Sequence, residues 1–242
     1  MASLLLHFSY IYSMNQYLVE CCANSVQSAI NGEKGGANRI ELCRDLRLGG
    51  LTPKRSDIIK TITSINVPFY VLIRPRIGNF IYTENEHLQM ITDIQFCKNN
   101  GCEGVVIGAL YKNGSINVDQ TKQMVRAARP MHVTFHRAFD EGNDLVKNLE
   151  DVIVCGCDTL LTSGQAKNIN LGLENLKRIV SVSAGRINIL AGSGINHTNV
   201  EALFNIGIRS FHLSGSEKNM HGVLETNNKN IQAVVDKLDG IV

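Results

Sequence analysis

The sequence has no apolar run approaching the roughly 20 residues that a membrane-spanning helix needs, which excludes a helical membrane protein. It has no dense basic segment either. Its 24 basic and 22 acidic residues leave a formal charge of +2, so the electrostatic footprint of a nucleic-acid binder is missing. With 44% hydrophobic and only 19% charged residues, the chain is not of the disordered class, and 242 residues suffice for a large core. No Gly-x-Gly-x-x-Gly turn follows the first β-rich run, where Cys21-Cys22-Ala23-Asn24-Ser25 stands instead, so the dinucleotide-binding open sheet is disfavoured. The seven cysteines are odd in number and contain no Cys-x-x-Cys pair. In a chain too large to need staples this predicts reduced thiols in the cytoplasm. Residues 1–13 are apolar but lack a basic n-region and a small-residue cleavage site, and a second start, Met14, follows at once. Residues 1–15 are therefore expected to be a poorly ordered extension or an alternative start, with a leader as the other reading. Residues 16–242 are expected to carry the fold.

What is present is alternation. Short β-rich runs at 17–22, 39–43, 69–74, 104–107, 132–136, 159–162, 187–191 and 210–213 alternate with segments of helical period. Ser25 is placed to cap a first helix, Thr52 with Pro53 a second, and Thr83-x-x-Glu86 reads as a capping box. Asp119 and Asp144 lead into later helices, and Asn196 and Thr198 read as caps of another. A weak internal repeat places Gly36, Gly101, Gly156 and Gly207 each at a helix end shortly before a strand. Eight such units in one chain of this length predict an α/β fold, a single-domain (β/α)8 TIM barrel of parallel strands.

Active sites of such barrels sit at the C-terminal strand ends, and here those ends are rich in reactive side chains. Glu20-Cys21-Cys22 closes the first strand and Glu41-Leu42-Cys43 the second. Residues two apart share a strand face, and adjacent strands lie about 4.8 Å apart, so two thiols and two carboxylates can meet at one mouth. Arg74 and Arg76 follow at the third strand, His136 at the fifth, Thr162-Ser163-Gly164 at the sixth and His212-Leu213-Ser214 at the eighth. The structural reading is a Glu–Arg network that plugs the barrel; the functional reading is a ligand or active site. A second constellation is glycine-rich: Gly192-Ser193-Gly194 after strand seven and Ser214-Gly215 after strand eight, where barrel enzymes commonly cradle phosphate on backbone amides. Tight-turn glycines with no anion are the alternative.

At these residues the chain resembles the CutC copper-homeostasis family. The likeness rests on Glu20-Cys-Cys with Ser25, 36–43 (Gly-Ala-Asn-Arg-Ile-Glu-Leu-Cys), 48–53 (Leu-Gly-Gly-Leu-Thr-Pro), 73–76 (Ile-Arg-Pro-Arg), 106–109 (Val-Ile-Gly-Ala), 133–140 (Val-Thr-Phe-His-Arg-Ala-Phe-Asp) and 161–164 (Leu-Thr-Ser-Gly). Departures include Arg44-Asp45 after Cys43, Asn79 in place of a carboxylate, Ala191-Gly-Ser-Gly194, and Gly215-Ser216 after Ser214. The resemblance implies a (β/α)8 barrel, a cytoplasmic copper-handling role, and copper as ligand of Cys22 and Cys43. Cu(I), a soft ion, suits thiolates, with Cys21 or a mouth histidine as a third donor. The rival reading is an enzyme acting on a small anionic or phosphorylated metabolite. In it His136 is the general acid/base, Glu20 or Glu41 its partner, Arg74 and Arg76 hold the anion, and Gly192, Ser193, Gly194, Ser214 and Gly215 take a phosphate. The expected partners are thus a copper ion or a small anionic metabolite, with self-association into a homo-oligomer as a further option, and neither nucleic acid nor membrane. Cys97, Cys102, Cys155 and Cys157 fall away from the strand ends and read as packing residues.

Overall fold

The computed structural model describes residues 16–242; the expectations about residues 1–15 lie outside it. Eight parallel strands close into a barrel in sequence order: β1 Leu18–Ala23, β2 Arg39–Leu42, β3 Phe69–Leu72, β4 Gly104–Ile107, β5 His132–Phe135, β6 Thr159–Thr162, β7 Asn188–Gly192 and β8 Ser210–Leu213. A helix follows each: α1 Val26–Lys34, α2 Arg55–Ile62, α3 Glu84–Asn99, α4 Val118–Ala128, α5 Leu145–Val154, α6 Leu173–Ser183, α7 Val200–Asn205 and α8 Asn228–Asp239. The (β/α)8 barrel expected from the alternation is therefore the fold. Gly36, Gly101, Gly156 and Gly207 all adopt left-handed φ values of +90, +83, +82 and +95°, so the repeated glycine is the helix-ending residue that lets the chain turn back into a strand.

Several caps stand as read. Ser25 accepts the Ser28 amide, Thr83 and Glu86 form a capping box, and Asp144 accepts the Lys147 amide. Others shift by a few residues. Asn117, not Asp119, caps α4, and Asn199 stands at the start of α7, where Asn196 bonds Thr198 instead. Thr52 does not cap α2, which starts at Arg55. Its hydroxyl accepts the Arg74 amide at 2.8 Å and its own amide donates to the Arg74 carbonyl at 2.9 Å. A tertiary partner has taken the side chain that local geometry offered to the helix. A short hairpin, β9 Ser216–Lys218 with β10 Leu224–Thr226, was not anticipated; its strands are polar and only three residues long. It fastens to α1, with Asn31 bonding the Thr226 carbonyl and Ser28 accepting the Thr226 amide.

Outward-facing strand residues and the helices share one apolar core. The interior is different. Leu18, Leu161 and Leu190 form a small apolar cluster, and a polar belt crosses the barrel beside it. Arg39 Nε donates to Glu20 at 2.6 Å, and His212 Nδ1 lies 2.7 Å from the other Glu20 oxygen. The Arg39 guanidinium sits 4.3 Å above the Tyr70 ring, which stacks on His132 at 5.2 Å. His132 Nε2 meets Thr159 at 2.9 Å, Asn188 donates to Thr159, and Ser210 donates to Asn188. Ser210 and His212 share β8, so the belt closes on itself. β4 takes part by yielding space. A Cβ on Gly104 would lie 2.5 Å from the Tyr70 ring, so only glycine lets that ring fill the centre.

Burial holds His132 down at about 4, against the upward pull of Asp158. Unfolded chains take a proton on this histidine near its ordinary 6.5, and the folded one refuses it, so stability falls as pH drops from about 6.5 to about 4. His132→Gln is expected to flatten that acid limb by roughly 3 kcal/mol, read as the pH dependence of urea unfolding; an unchanged limb would show that His132 is not its source. Gly104→Ala is expected to destabilise the fold by about 1–3 kcal/mol through overpacking against Tyr70, measured in the same unfolding assay.

Candidate functional site

The C-terminal ends of the strands open into a cavity of about 680 Å³. Of the residues singled out in the sequence, Cys22, Glu41, Arg74, His136, Ser193, Gly194, Ser214 and Gly215 line it. Glu20, Cys43, Arg76 and Gly192 do not.

The strand register builds one wall. Cys22 on β1 pairs with Glu41 on β2, one step above Glu20 and Arg39. Cys22 Sγ lies 3.6 Å from Glu41 Oε1 and 3.9 Å from Cys43 Sγ, which is buried just behind it. Donor atoms of Cys22, Glu41 and His212 all fall within 4.8 Å of one another, close enough that one metal ion could be held between them. Two bonds of about 2.3 Å, the length of a zinc–thiolate bond, also span the Cys22–Cys43 separation at a bent angle. His212, named from the sequence as a residue of the eighth strand end but not assigned as a ligand, is the mouth histidine that β8 brings beside β1. Cys21 is not a third donor. It faces outward, its Sγ packed near Gly32 and Thr226.

Charge on this wall follows from burial. Glu20 is held down at about 2: burial opposes its ionisation, but Arg39 and His212 together outweigh burial. Glu41 has no such clamp, and burial, with Glu20 beside it, pushes it up to about 7. Burial resists a charge on His212, yet Glu41 and Glu20 prevail and raise it above the ordinary histidine value. The shared hydrogen with Cys43, then burial, pushes the Cys22 thiol well above the ordinary thiol range, so the Cys22 sulfur carries its proton at neutral pH.

A second wall is cationic. Arg74 follows β3 and is 7% exposed. It donates to the carbonyls of Leu48, Gly50 and Gly78 and lies 4.7 Å over the Phe80 ring. Arg74 thus pins the Gly49-Gly50 loop, where a Cβ on Gly49 would approach its Nη1 to 2.9 Å. Arg76 does not join it. Its guanidinium turns to Glu86, Asn79 and the Ile81 carbonyl, outside the cavity, because the α3 capping glutamate is the nearer counter-charge. His136 packs against Phe80 at 4.9 Å and accepts the Ala138 amide on Nδ1 at 3.1 Å, which leaves the proton on Nε2. Gly108 makes room for it, since a Cβ there would lie 2.5 Å from the ring. Neither Glu20 nor Glu41 partners His136. Glu20 is taken by Arg39 and His212, so the acid–base pairing expected from sequence is not formed. Burial, then Arg74, push His136 down to about 3, so it is a neutral donor.

Sequence reasoning also passed over Asp140, which the fold uses as a hub. It accepts from Arg137 Nε at 2.8 Å, Thr162 Oγ1 at 2.5 Å, and the Ser163 and Gln165 amides. This locks the loops after β5 and β6 together. Arg39 was missed because it stands at a strand start, where a charge usually reaches solvent.

Fold and site together define a (β/α)8-barrel protein whose mouth combines a buried thiol–carboxylate–imidazole cluster with a ligand-sized cavity. The CutC family model matches residues 17–217. A curated family protein CutC of Bacteroides fragilis is 42% identical over 214 residues, covering 87% of this chain and 84% of that protein. Another, from Vibrio cholerae, is 43% identical over 202 residues, covering 82% and 80%. A solved structure named as a candidate copper homeostasis protein, CutC from Streptococcus agalactiae, superposes with a TM-score of 0.78 at 27% identity, covering 82% of this chain and 98% of that one. The chain belongs to the CutC family.

Glu20→Gln is expected to cost about 3–5 kcal/mol by leaving Arg39 buried without its counter-charge. It is also expected to move the His212 titration midpoint to lower pH, followed by NMR of its ring protons. A midpoint that stays in place would show that Glu20 does not set the charge of His212.

Proposed function

We propose that this protein handles copper in the cytoplasm, binding Cu(I) at the floor of the barrel mouth between Cys22 and Cys43. The observation that carries this reading is the 3.9 Å approach of the two thiols, with Glu41 and His212 beside Cys22. Cu(I) is soft and prefers thiolates to the oxygen donors that suit magnesium or calcium. The donor set fits such an ion: two thiols of adjacent strands, with an imidazole and a carboxylate in reach for a third bond. Family membership and the copper-homeostasis name of the Streptococcus agalactiae relative support the same reading. The cytoplasmic assignment rests on the seven thiols, none of which forms a disulfide among the described residues. No helix among the described residues is long and apolar enough to cross a membrane.

Copper is cargo in this reading, and the residues divide the work. Cys22 lines the cavity and meets the ion first; Cys43 lies behind it and completes the pair. Glu41 can accept a thiol proton as the metal displaces it. His212, oriented through Nδ1 by Glu20, presents its remaining nitrogen to the cluster.

Anaerobic titration of the reduced protein with Cu(I) against a competing chelator tests the reading. One equivalent is expected to bind, and Cys22→Ser/Cys43→Ser to abolish it. Because binding releases thiol protons, affinity is expected to rise with pH by about tenfold per pH unit for each proton released. Equal binding by wild type and the double variant, or none by either, overturns the assignment.

A further inference from the structure

Among the described residues two arginines are buried, Arg39 and Arg74. Arg39 has its counter-charge in Glu20. Arg74 has none: no described carboxylate lies within ion-pair distance, and its partners are three carbonyl oxygens and the face of Phe80. Tyr82, whose phenol feels Arg74 and Arg76, is neutral, because burial pushes it up to about 12. Arg74 Nε is buried without an acceptor. His136, packed on the same Phe80 ring, carries a second unanswered donor, a buried Nε2 with no partner. Both side chains line the cavity. A charge kept out of water needs an opposite charge, and the carboxylates that line the cavity do not supply it: Glu41, Asp140 and Glu141 form no ion pair with Arg74, and Asp140 is taken by Arg137. The cavity is also far larger than a metal ion requires and falls in the size range of small-molecule sites.

We propose that the mouth contains an oxyanion site, in which the phosphate or carboxylate of a small organic molecule sits against Arg74 and the His136 Nε2–H. The guanidinium supplies the counter-charge, already oriented by its three carbonyl bonds, and the neutral imidazole donates without needing to be charged. The body of the ligand extends across the mouth to the turns after β7 and β8, where Gly194 and Gly215 take left-handed backbone and line the cavity. This inference goes beyond the copper reading, which uses neither Arg74 nor His136, so either can fail while the other stands.

The test is isothermal titration and thermal melting of the full chain with inorganic phosphate, glycerol 3-phosphate and malonate, at ionic strength held constant with chloride. At least one probe is expected to bind saturably and raise Tm with its concentration. Arg74→Gln is expected to weaken binding about tenfold or more, and Lys177→Gln, which removes an exposed charge from α6, to bind as wild type does. Preference for glycerol 3-phosphate assigns a phosphate ligand, and preference for malonate a carboxylate. Absence of saturable binding by all three probes, or equal binding by Arg74→Gln and wild type, overturns the proposal. Should Arg74→Gln not fold, nitrogen NMR of His136 in the wild type decides. A resonance that moves along the binding curve supports the site, and one that stays fixed while a probe binds overturns it.

Discussion

A single carboxylate inside the barrel governs much of what surrounds it. Glu20 is fully buried, and it is tolerable there only because Arg39 grips one oxygen and His212 the other. Taking a carboxylate out of water is costly unless geometry returns the loss, and that demand propagates. Arg39 must reach inward from a strand start; its flat guanidinium then needs a partner above it and finds Tyr70. Tyr70 in turn requires Gly104, and its ring stacks on His132. An interior that Val, Ile and Leu usually fill is here organised by a charge and its satisfactions.

The same carboxylate divides the mouth above it. By consuming Arg39 and His212 it leaves Glu41 without a cation of its own, so Glu41 titrates near neutrality beside the protonated Cys22 thiol. That wall is soft, proton-rich and close-set. Elsewhere on the cavity lining, Arg74 and His136 present donors whose demands the protein itself does not meet. The two walls differ in chemistry because Glu20 and Glu41 lie on β1 and β2, while Arg74 follows β3 and is clamped by loop carbonyls, and Asp140 after β5 is taken by Arg137 and the β6 loop.

Rigidity is supplied outside the reactive residues. Asp140 ties the loops after β5 and β6 through five donors, Thr52 joins the end of β3 to the loop before α2, and the β9–β10 hairpin secures α1. Sites held by such supporting contacts keep their geometry when a ligand arrives.

Periodicity, caps and the Gly repeated before four of the strands were enough to read the eight-fold alternation, because those signals are local and recur along the chain. The Glu-x-Cys pairs likewise revealed that thiols and carboxylates share a face, since strand alternation follows from sequence spacing alone. Which carboxylate met which partner was not legible. Glu20 stands beside Cys22 in the chain, yet its partners come from positions 39 and 212, brought together by barrel register between first, second and last strands. Arg74 and Arg76 look equivalent in sequence, but a capping glutamate on α3 draws one away while loop carbonyls hold the other at the cavity. Cys21 and Cys22 are neighbours, and only one faces the mouth. The sequence by itself determined the architecture and the inventory of reactive groups. Tertiary structure alone decided their pairing, protonation and access, because these depend on contacts between residues up to about two hundred positions apart and on how little water reaches them.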